Sequence, residues 1–242
     1  VIHCLAEMIA VCISEKHTIE FERGADMRHS ARTSCGVRHI EAGQHLFYEG
    51  ADRTHIFVIE AGWVKLYRTL IDGQRQVVGF CNGGSVLALD GGGDHANSCE
   101  AITDVTVRVI SLSQMPDLCR RDPDLAADLL RQMGNQLGSA QSHLTTIGAQ
   151  TADQKLATFL LAFADCDGED VCEFDLPMRR TDIGEFLGLR LATMSRKWTE
   201  FQRRGWVKMV SMYRCILLDR AALEHLAEGG DIDELSLSAL RH

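Results

Sequence analysis

Arg179–Trp198 reads RRTDIGEFLGLRLATMSRKW, and this stretch decides how the rest of the chain is understood. Two short apolar-periodic segments flank the break Leu187-Gly188-Leu189. In the first, Ile183, Phe186 and Leu187 fall on one helical face, and Thr181 is the expected cap. In the second, Leu191, Met194 and Trp198 recur at helical spacing, which frees Arg190, Thr193, Arg196 and Lys197. Gly188 suits the turn because glycine takes backbone conformations that other residues resist. Two helices joined this way predict a helix-turn-helix, whose second helix enters the DNA major groove with its N-terminal residues at base edges. Arginine reads guanine through paired hydrogen bonds to O6 and N7, so Arg196 is the expected base reader. Ser195 can reach a phosphate or a base edge, Leu191 and Ala192 open the same helix, and Arg179 and Arg180 are expected at phosphates. Taken alone, Arg196-Lys197 reads as a solvated basic helix, a common surface feature.

The flanks decide between the two. Upstream come a helix over about 152–164, the polar CDGED and the strand-like VCEFDLP; downstream come the hairpin-like WVKMVSMYRCILLD and the helical RAALEHLAE. That order predicts a winged helix-turn-helix. Between Arg179 and Arg220 ten Lys/Arg face four Asp/Glu, about +6, within a chain of net charge −9. The remainder therefore carries about −15. A basic island on an acidic body suits one local polyanion-binding face.

Further upstream, Asp122-Pro123-Asp124 resembles a helix start. Beyond it Leu130, Met133, Leu137, Ala140, Leu144 and Ile147 alternate spacings of three and four, the seam of a helix packed on a parallel partner. The alternative is a long helix packed on its own β-domain. Gly134, Gly138 and Gly148 weaken an isolated helix but permit close approach of another. Between Val37 and Leu112 the texture is β: HLFYEG, HIFVIEAGWVKLYRTL, RQVVGF and VTVRVISL carry β-branched and aromatic residues, Asp72-Gly73 is a hairpin turn, and GGSVLALDGGGDHAN is loop-rich. This predicts an antiparallel sandwich or barrel-like domain. Residues 1–36 read as a poorly determined arm. The predicted division is arm 1–36, β-domain 37–115, dimerisation helix 116–149 and DNA-binding domain 150–242, an α+β chain.

Composition excludes several classes. The 242 residues can bury a sizeable core and suggest two domains. No apolar run reaches the roughly 18–20 residues of a membrane span, and a secretion signal is not expected because Glu7 interrupts the first apolar stretch. Nine cysteines without paired spacing predict reduced thiols and a cytoplasmic protein. No Gly-x-Ser-x-Gly, P-loop or His-Glu-x-x-His motif is present, and DGGGD without a following Lys/Ser is a weak phosphate loop, so an enzyme is not expected.

RRTDIGEFLGLRLATMSRKWTEFQRRGWV resembles the DNA-binding domain of the cyclic-AMP receptor protein/FNR (CRP/FNR) superfamily of bacterial transcription regulators. EAGQHLFYEGADRTHIFVIEAGWVKLYRTLIDGQRQVVGF is similar to that family's β-roll, cyclic-nucleotide-binding-like domain, and the resemblance runs from about Val37 to Glu228. It implies a homodimer on a palindromic TTG(A/C)-N6-(T/G)CAA-like site, RNA polymerase as a partner of β-roll loops such as Asp72-Gly73, and the FixK/FNR branch, which controls low-oxygen, respiratory and nitrogen-related genes. The family's guanine-reading Arg falls on Arg196 and the Ser before it on Ser195, but Ala192 stands where the family has Glu. The family's Gly-Glu-Leu phosphate cassette and Arg-Ser/Thr pair have no counterpart in GGSVLALDGGGDHANSCEAIT, so cAMP is not expected. Cys4, Cys12 and Cys35 are too widely spaced for the FNR iron–sulfur pattern, and Arg108 holds the β-roll ligand position. His3, His17 and His29 with those cysteines lack ligand spacing, so no metal or cofactor is expected. An iron–sulfur or metal-sensing regulator, or a sensor module without DNA binding, is the alternative. Cys172 and Cys215, near Arg-rich sequence, are the redox candidates.

Overall fold

The computed structural model describes residues 36–164 and 170–232. The expected arm up to residue 35, with its Cys and His residues, and most of the CDGED loop lie outside them. Eight strands come first: β1 (Gly36–Ile40), β2 (His45–Phe47), β3 (His55–Ala61), β4 (Val64–Thr69), β5 (Arg75–Cys81), β6 (Val86–Leu87), β7 (Ser98–Ala101) and β8 (Val105–Ser111). Helices α1 (Met115–Arg121), α2 (Pro123–Ala149) and α3 (Ala152–Phe163) follow. The chain ends in β9 (Cys172–Asp175), α4 (Arg180–Leu187), α5 (Leu191–Arg203), β10 (Val207–Met209), β11 (Arg214–Leu217) and α6 (Arg220–Ala227). The chain divides into two units between Leu137 and Gly138, within α2.

The first unit is built from two four-stranded antiparallel sheets, ordered β1-β8-β3-β6 and β2-β7-β4-β5. Strand β3 explains their packing. Successive strand residues face opposite sides, yet Ile56 through Ile59 are all buried. Phe57 and Ile59 join Phe47, Val64, Cys99 and Val107 in one core cluster. Ile56 and Val58 join Val86 and Ile110 in another, covered by Met115, Leu118 and Leu129. Gly62, between β3 and β4, is required: its φ is +91°, and a Cβ there would collide with the Asp104 carbonyl oxygen. The β4–β5 hairpin turns at Asp72-Gly73 as expected, with the Gly73 N–H donating to the Leu70 carbonyl at 2.9 Å. The run GGSVLALDGGGDHAN holds the short β6, and β7 beyond it is a strand that composition did not mark.

The helical segment expected over 116–149 is two helices. Asp122 breaks it in extended backbone, and its Oδ1 accepts from the backbone N–H groups of Asp124 (3.1 Å) and Leu125 (3.2 Å), capping α2 with Pro123 at its first position. Along the first half of α2, Gln132 Nε2 donates to the Gly84 carbonyl at 3.1 Å and Gln136 Nε2 to the Val86 carbonyl at 3.0 Å. Those residues and Leu129 hold the helix to the β-domain by one face. Another face stays bare: Leu130 is 69%, Met133 46%, Leu137 61% and Leu144 70% exposed.

The second unit centres on α3, which buries every residue from Lys155 to Phe163. Thr151 and Gln154 form a reciprocal capping box at its start. A three-stranded sheet β10-β11-β9 forms the wing.

Candidate nucleic-acid interface

The helix-turn-helix is organised by two glycines. Gly188 ends α4 with φ +63°, the left-handed conformation that lets the chain reverse. One turn earlier, Gly184 lets the helices cross closely: a Cβ there would stand 3.1 Å from the Leu189 carbonyl oxygen and 3.5 Å from Met194 Cβ. Sequence reasoning missed Gly184, although a small residue ahead of a turn glycine is a usable signal. Ile183 and Leu187 (1% exposed each) and Phe186 (6%) face the core as expected. Phe186 also stacks on the His143 ring of α2, centroids 4.0 Å apart. Burial, then Lys155, lowers that histidine to about 4, so it packs as a neutral ring.

Thr181 is not the cap of α4. The helix starts at Arg180 with Arg179 as N-cap, and Asp182 Oδ2 accepts from the Arg179 backbone N–H at 3.3 Å. The carboxylate two places inside the first turn does the work assigned to the hydroxyl, and it also suits the helix dipole.

Helix α5 buries Met194 (0% exposed), Trp198 (1%) and Phe201 (0%), spaced four and three apart. Leu191 does not continue that stripe. It is 51% exposed, because it is the first residue of α5 and the core stripe begins one turn later. Ala192 and Arg196 are exposed, and Thr193 and Ser195 half-buried, on the same leading turns. The N-cap residue of α5, Arg190, makes no side-chain cap hydrogen bond.

Lys197, grouped with the DNA-facing residues from sequence, is engaged elsewhere. Its Nζ lies 2.6 Å from Asp153 Oδ2 in the first turn of α3, so it braces two helices. The basic island sorts into two classes in the same way. Arg203 and Arg204 both hold Glu200, whose carboxyl their hydrogen bonds pull down to about 2. Arg214 pairs with Glu173 and Asp175, and Arg220 with Glu224. Among the described residues, Arg179, Arg190, Arg196 and Lys208 have no carboxylate partner, while the Arg180 guanidinium lies over the Trp198 ring, 5.6 Å from its centroid. The arginines left for an external anion therefore gather at the start of α4 and α5.

These features match known proteins along most of the chain. Residues 154–226 match the model of the Crp-like helix-turn-helix domain, and residues 37–122 that of the cyclic nucleotide-binding domain. The nitrogen fixation regulation protein FixK of Azorhizobium caulinodans is 30% identical over 217 residues, 86% of this chain and 88% of that protein. The chain belongs to the CRP/FNR family of DNA-binding transcription regulators. The fumarate and nitrate reduction regulatory protein of Escherichia coli is 30% identical over 72% of each chain. The solved structure of FixK2 from Bradyrhizobium japonicum is 29% identical, with a TM-score of 0.72 over 79% of this chain and 96% of that one. These relatives are regulators, not enzymes, and they support the fold expected from the resemblance.

The segment expected at the family's nucleotide-cassette position is tied to the chain just before β3. Arg53 donates to the Gly92 carbonyl at 2.6 Å and 3.0 Å and to the Ala88 carbonyl at 3.0 Å. His95 stacks on Phe47 with ring centroids 3.9 Å apart, and burial lowers its pKa. Residues 83–97 contain no Lys or Arg and carry Asp90 and Asp94, which oppose a phosphate. Arg108, expected at the position of the FNR ligand, pairs with Glu60 at 2.6 Å. No group of three His, Cys, Asp or Glu that could hold a metal occurs among the described residues.

The thiols differ from expectation. Cys172 is disulfide-bonded rather than reduced, while Cys81, Cys99, Cys119 and Cys215 are free. Cys215 is fully buried, and burial pushes its thiol up to about 11, the opposite of the activation expected from nearby arginines. Cys99 is pushed up further, by burial first and then by Glu100. No described helix is long and apolar enough to cross a membrane.

Proposed function

We propose that this protein is a cytoplasmic homodimer that binds a palindromic TTG-N-CAA-like site without cAMP and activates transcription of low-oxygen, respiratory or nitrogen-related genes. The observation that carries the reading is the exposed leading face of α5, where Arg196 and the N-cap Arg190 have no carboxylate partner while Arg203 and Arg204 at the other end hold Glu200. A guanidinium held at the first turns of a recognition helix is placed for O6 and N7 of guanine. Arg179 and Arg180, at the start of α4, suit the phosphates that fix the register.

Dimerisation is supported by the bare apolar face of α2. Leu130, Met133, Leu137, Ala140 and Leu144 are all exposed, and a Cβ on Gly134 would meet nothing within 4 Å, leaving room for a close neighbour. Ile147 is the exception among the six seam residues: it is half-buried, and its Cγ2 would stand 3.7 Å from a Cβ on Gly188. Two α5 helices brought together by such a seam would read successive major grooves about 34 Å apart. Independence from cAMP is supported by the absence of a cation in residues 83–97 and by the carbonyl contacts of Arg53. The physiological assignment follows the named roles of the FixK and fumarate and nitrate reduction relatives. The family's RNA polymerase contact through a loop such as Asp72-Gly73 is supported by the exposed apolar residues at the β4–β5 tip, Leu70 (48% exposed) and Ile71 (wholly exposed).

Purified protein should shift a duplex with two inverted half-sites, cooperatively and without added cAMP, with affinity falling steeply as salt rises. Equal affinity for unrelated duplexes, or no shift at all, would refute the reading.

A further inference from the structure

Arginines that lie over aromatic rings in this protein differ in what the rest of the guanidinium does. Arg75 stands 4.7 Å from the Tyr67 ring centroid, and its Nη1 lies 3.4 Å from Glu100 Oε2. Arg204 stands 5.2 Å from the Trp206 centroid, and its Nε holds Glu200. Arg180 stands 5.6 Å from the Trp198 centroid, and among the described residues no carboxylate or carbonyl takes its N–H groups. A stacked guanidinium is engaged through its face, while its donors lie in the plane at its edge. Arg180 is thus held in place with its hydrogen-bonding capacity unspent.

The other partner of the stack carries a feature that core packing does not explain. Trp198 is 1% exposed, in the buried stripe of α5 with Met194 and Phe201. It follows Arg196 by two residues, about 200° round the helix, so it faces away from the base edges. Among the described residues no acceptor meets its buried Nε1. A buried donor without a partner is costly, and Leu or Phe would fill the stripe without one. What the indole adds is the aromatic face that attracts a cation most strongly.

Resting on the reading of α4 and α5 as the DNA-binding pair, we infer that Trp198 is a positioning residue that holds Arg180 for one DNA phosphate. Arg180 is the first residue of α4, the helix that crosses the backbone, and Trp198 belongs to α5. The stack joins the phosphate contact to the helix that reads the bases, so both keep one register. It also removes rotamer freedom from Arg180 before DNA arrives, leaving less to lose on binding. Trp198 itself touches no DNA.

Trp198→Leu would leave a cavity, so the test alters the electrons of the ring and keeps its shape. Tryptophan carrying one, two or three ring fluorines, placed at position 198 of the full chain, weakens the π face stepwise. Affinity for the best duplex from a binding selection should fall in step, by about two- to fivefold per half-site across the series. The loss should be equal on all sequences and leave the slope of log affinity against log salt unchanged. In an Arg180→Ala background fluorination should change nothing. A fluorine effect that persists in that background would overturn the role of Trp198 alone. So would fluorination without effect while Arg180→Ala still weakens binding and flattens the salt slope. If Arg180→Ala changes neither affinity nor slope, the phosphate assignment falls with it. An absence of DNA binding by the parent protein would overturn the reading of the whole interface.

Discussion

Replacing Leu137 with Asp separates a partner-facing seam from a helix packed only on its own domain. Leu137 is 61% exposed in the single chain. Full burial of a leucine contributes about 1.5–3 kcal/mol, so covering the exposed part contributes about 1–2 kcal/mol per side chain. A two-fold dimer contains the residue twice, which makes the loss roughly 2–4 kcal/mol before any cost of burying the carboxylate. The dimer Kd should then rise by roughly 30- to 700-fold. The monomer should barely notice, because surface substitutions usually fall within about 0.5 kcal/mol. Leu129, which packs against the cluster around Ile56 and Val86, is the control, since its truncation should lower the melting temperature instead. Sedimentation equilibrium across a concentration series gives Kd, and thermal melting of dilute protein gives monomer stability. An unchanged Kd in Leu137→Asp, or a melting loss like that of Leu129→Ala, would refute the seam and leave the helix as internal packing.

The remaining side chains separate by what they touch. Arg196→Ala should cost about 1–3 kcal/mol at the preferred site and relax preference at one base pair, read by competitive binding selection. Arg179→Ala or Arg180→Ala should weaken all sequences alike and flatten the slope of log affinity against log salt, by about one unit for each phosphate no longer neutralised. Lys197→Ala removes the tie to Asp153, so it should lower stability by about 0.2–1 kcal/mol in chemical denaturation while leaving base preference unchanged. The His143 ring, lowered to about 4 from an ordinary 6.5 by burial and Lys155, is uncharged in the folded protein. The unfolded chain takes up this proton first, so the stability is fully present above about pH 6.5 and drains away as pH falls toward 4. His143→Phe, which keeps a ring against Phe186, should flatten stability measured across that window.

The sequence by itself determined most of the elements and their order, though not the strand β7 or the break at Asp122 that sets α1 apart. Gly188 between two apolar-periodic segments, Asp72-Gly73 between strand-like runs and Asp122-Pro123 ahead of a long helix are local signals, legible because backbone conformation and capping are settled by neighbours in the chain. The bare face of α2 was legible for the same reason, since spacing alone places Leu130, Met133, Leu137 and Leu144 together.

Tertiary structure decided which side chains are available. Lys197 looks like part of the reader until Asp153, forty-four residues earlier, is brought to 2.6 Å from it. Cys215 sits among arginines in sequence, yet the sheet buries it and raises its thiol rather than activating it. Leu191 fits the apolar period and is nonetheless exposed, because a helical stripe does not show in which turn the core begins. Charge pairing, burial and exposure depend on residues distant in the chain, and only the folded packing sets those distances.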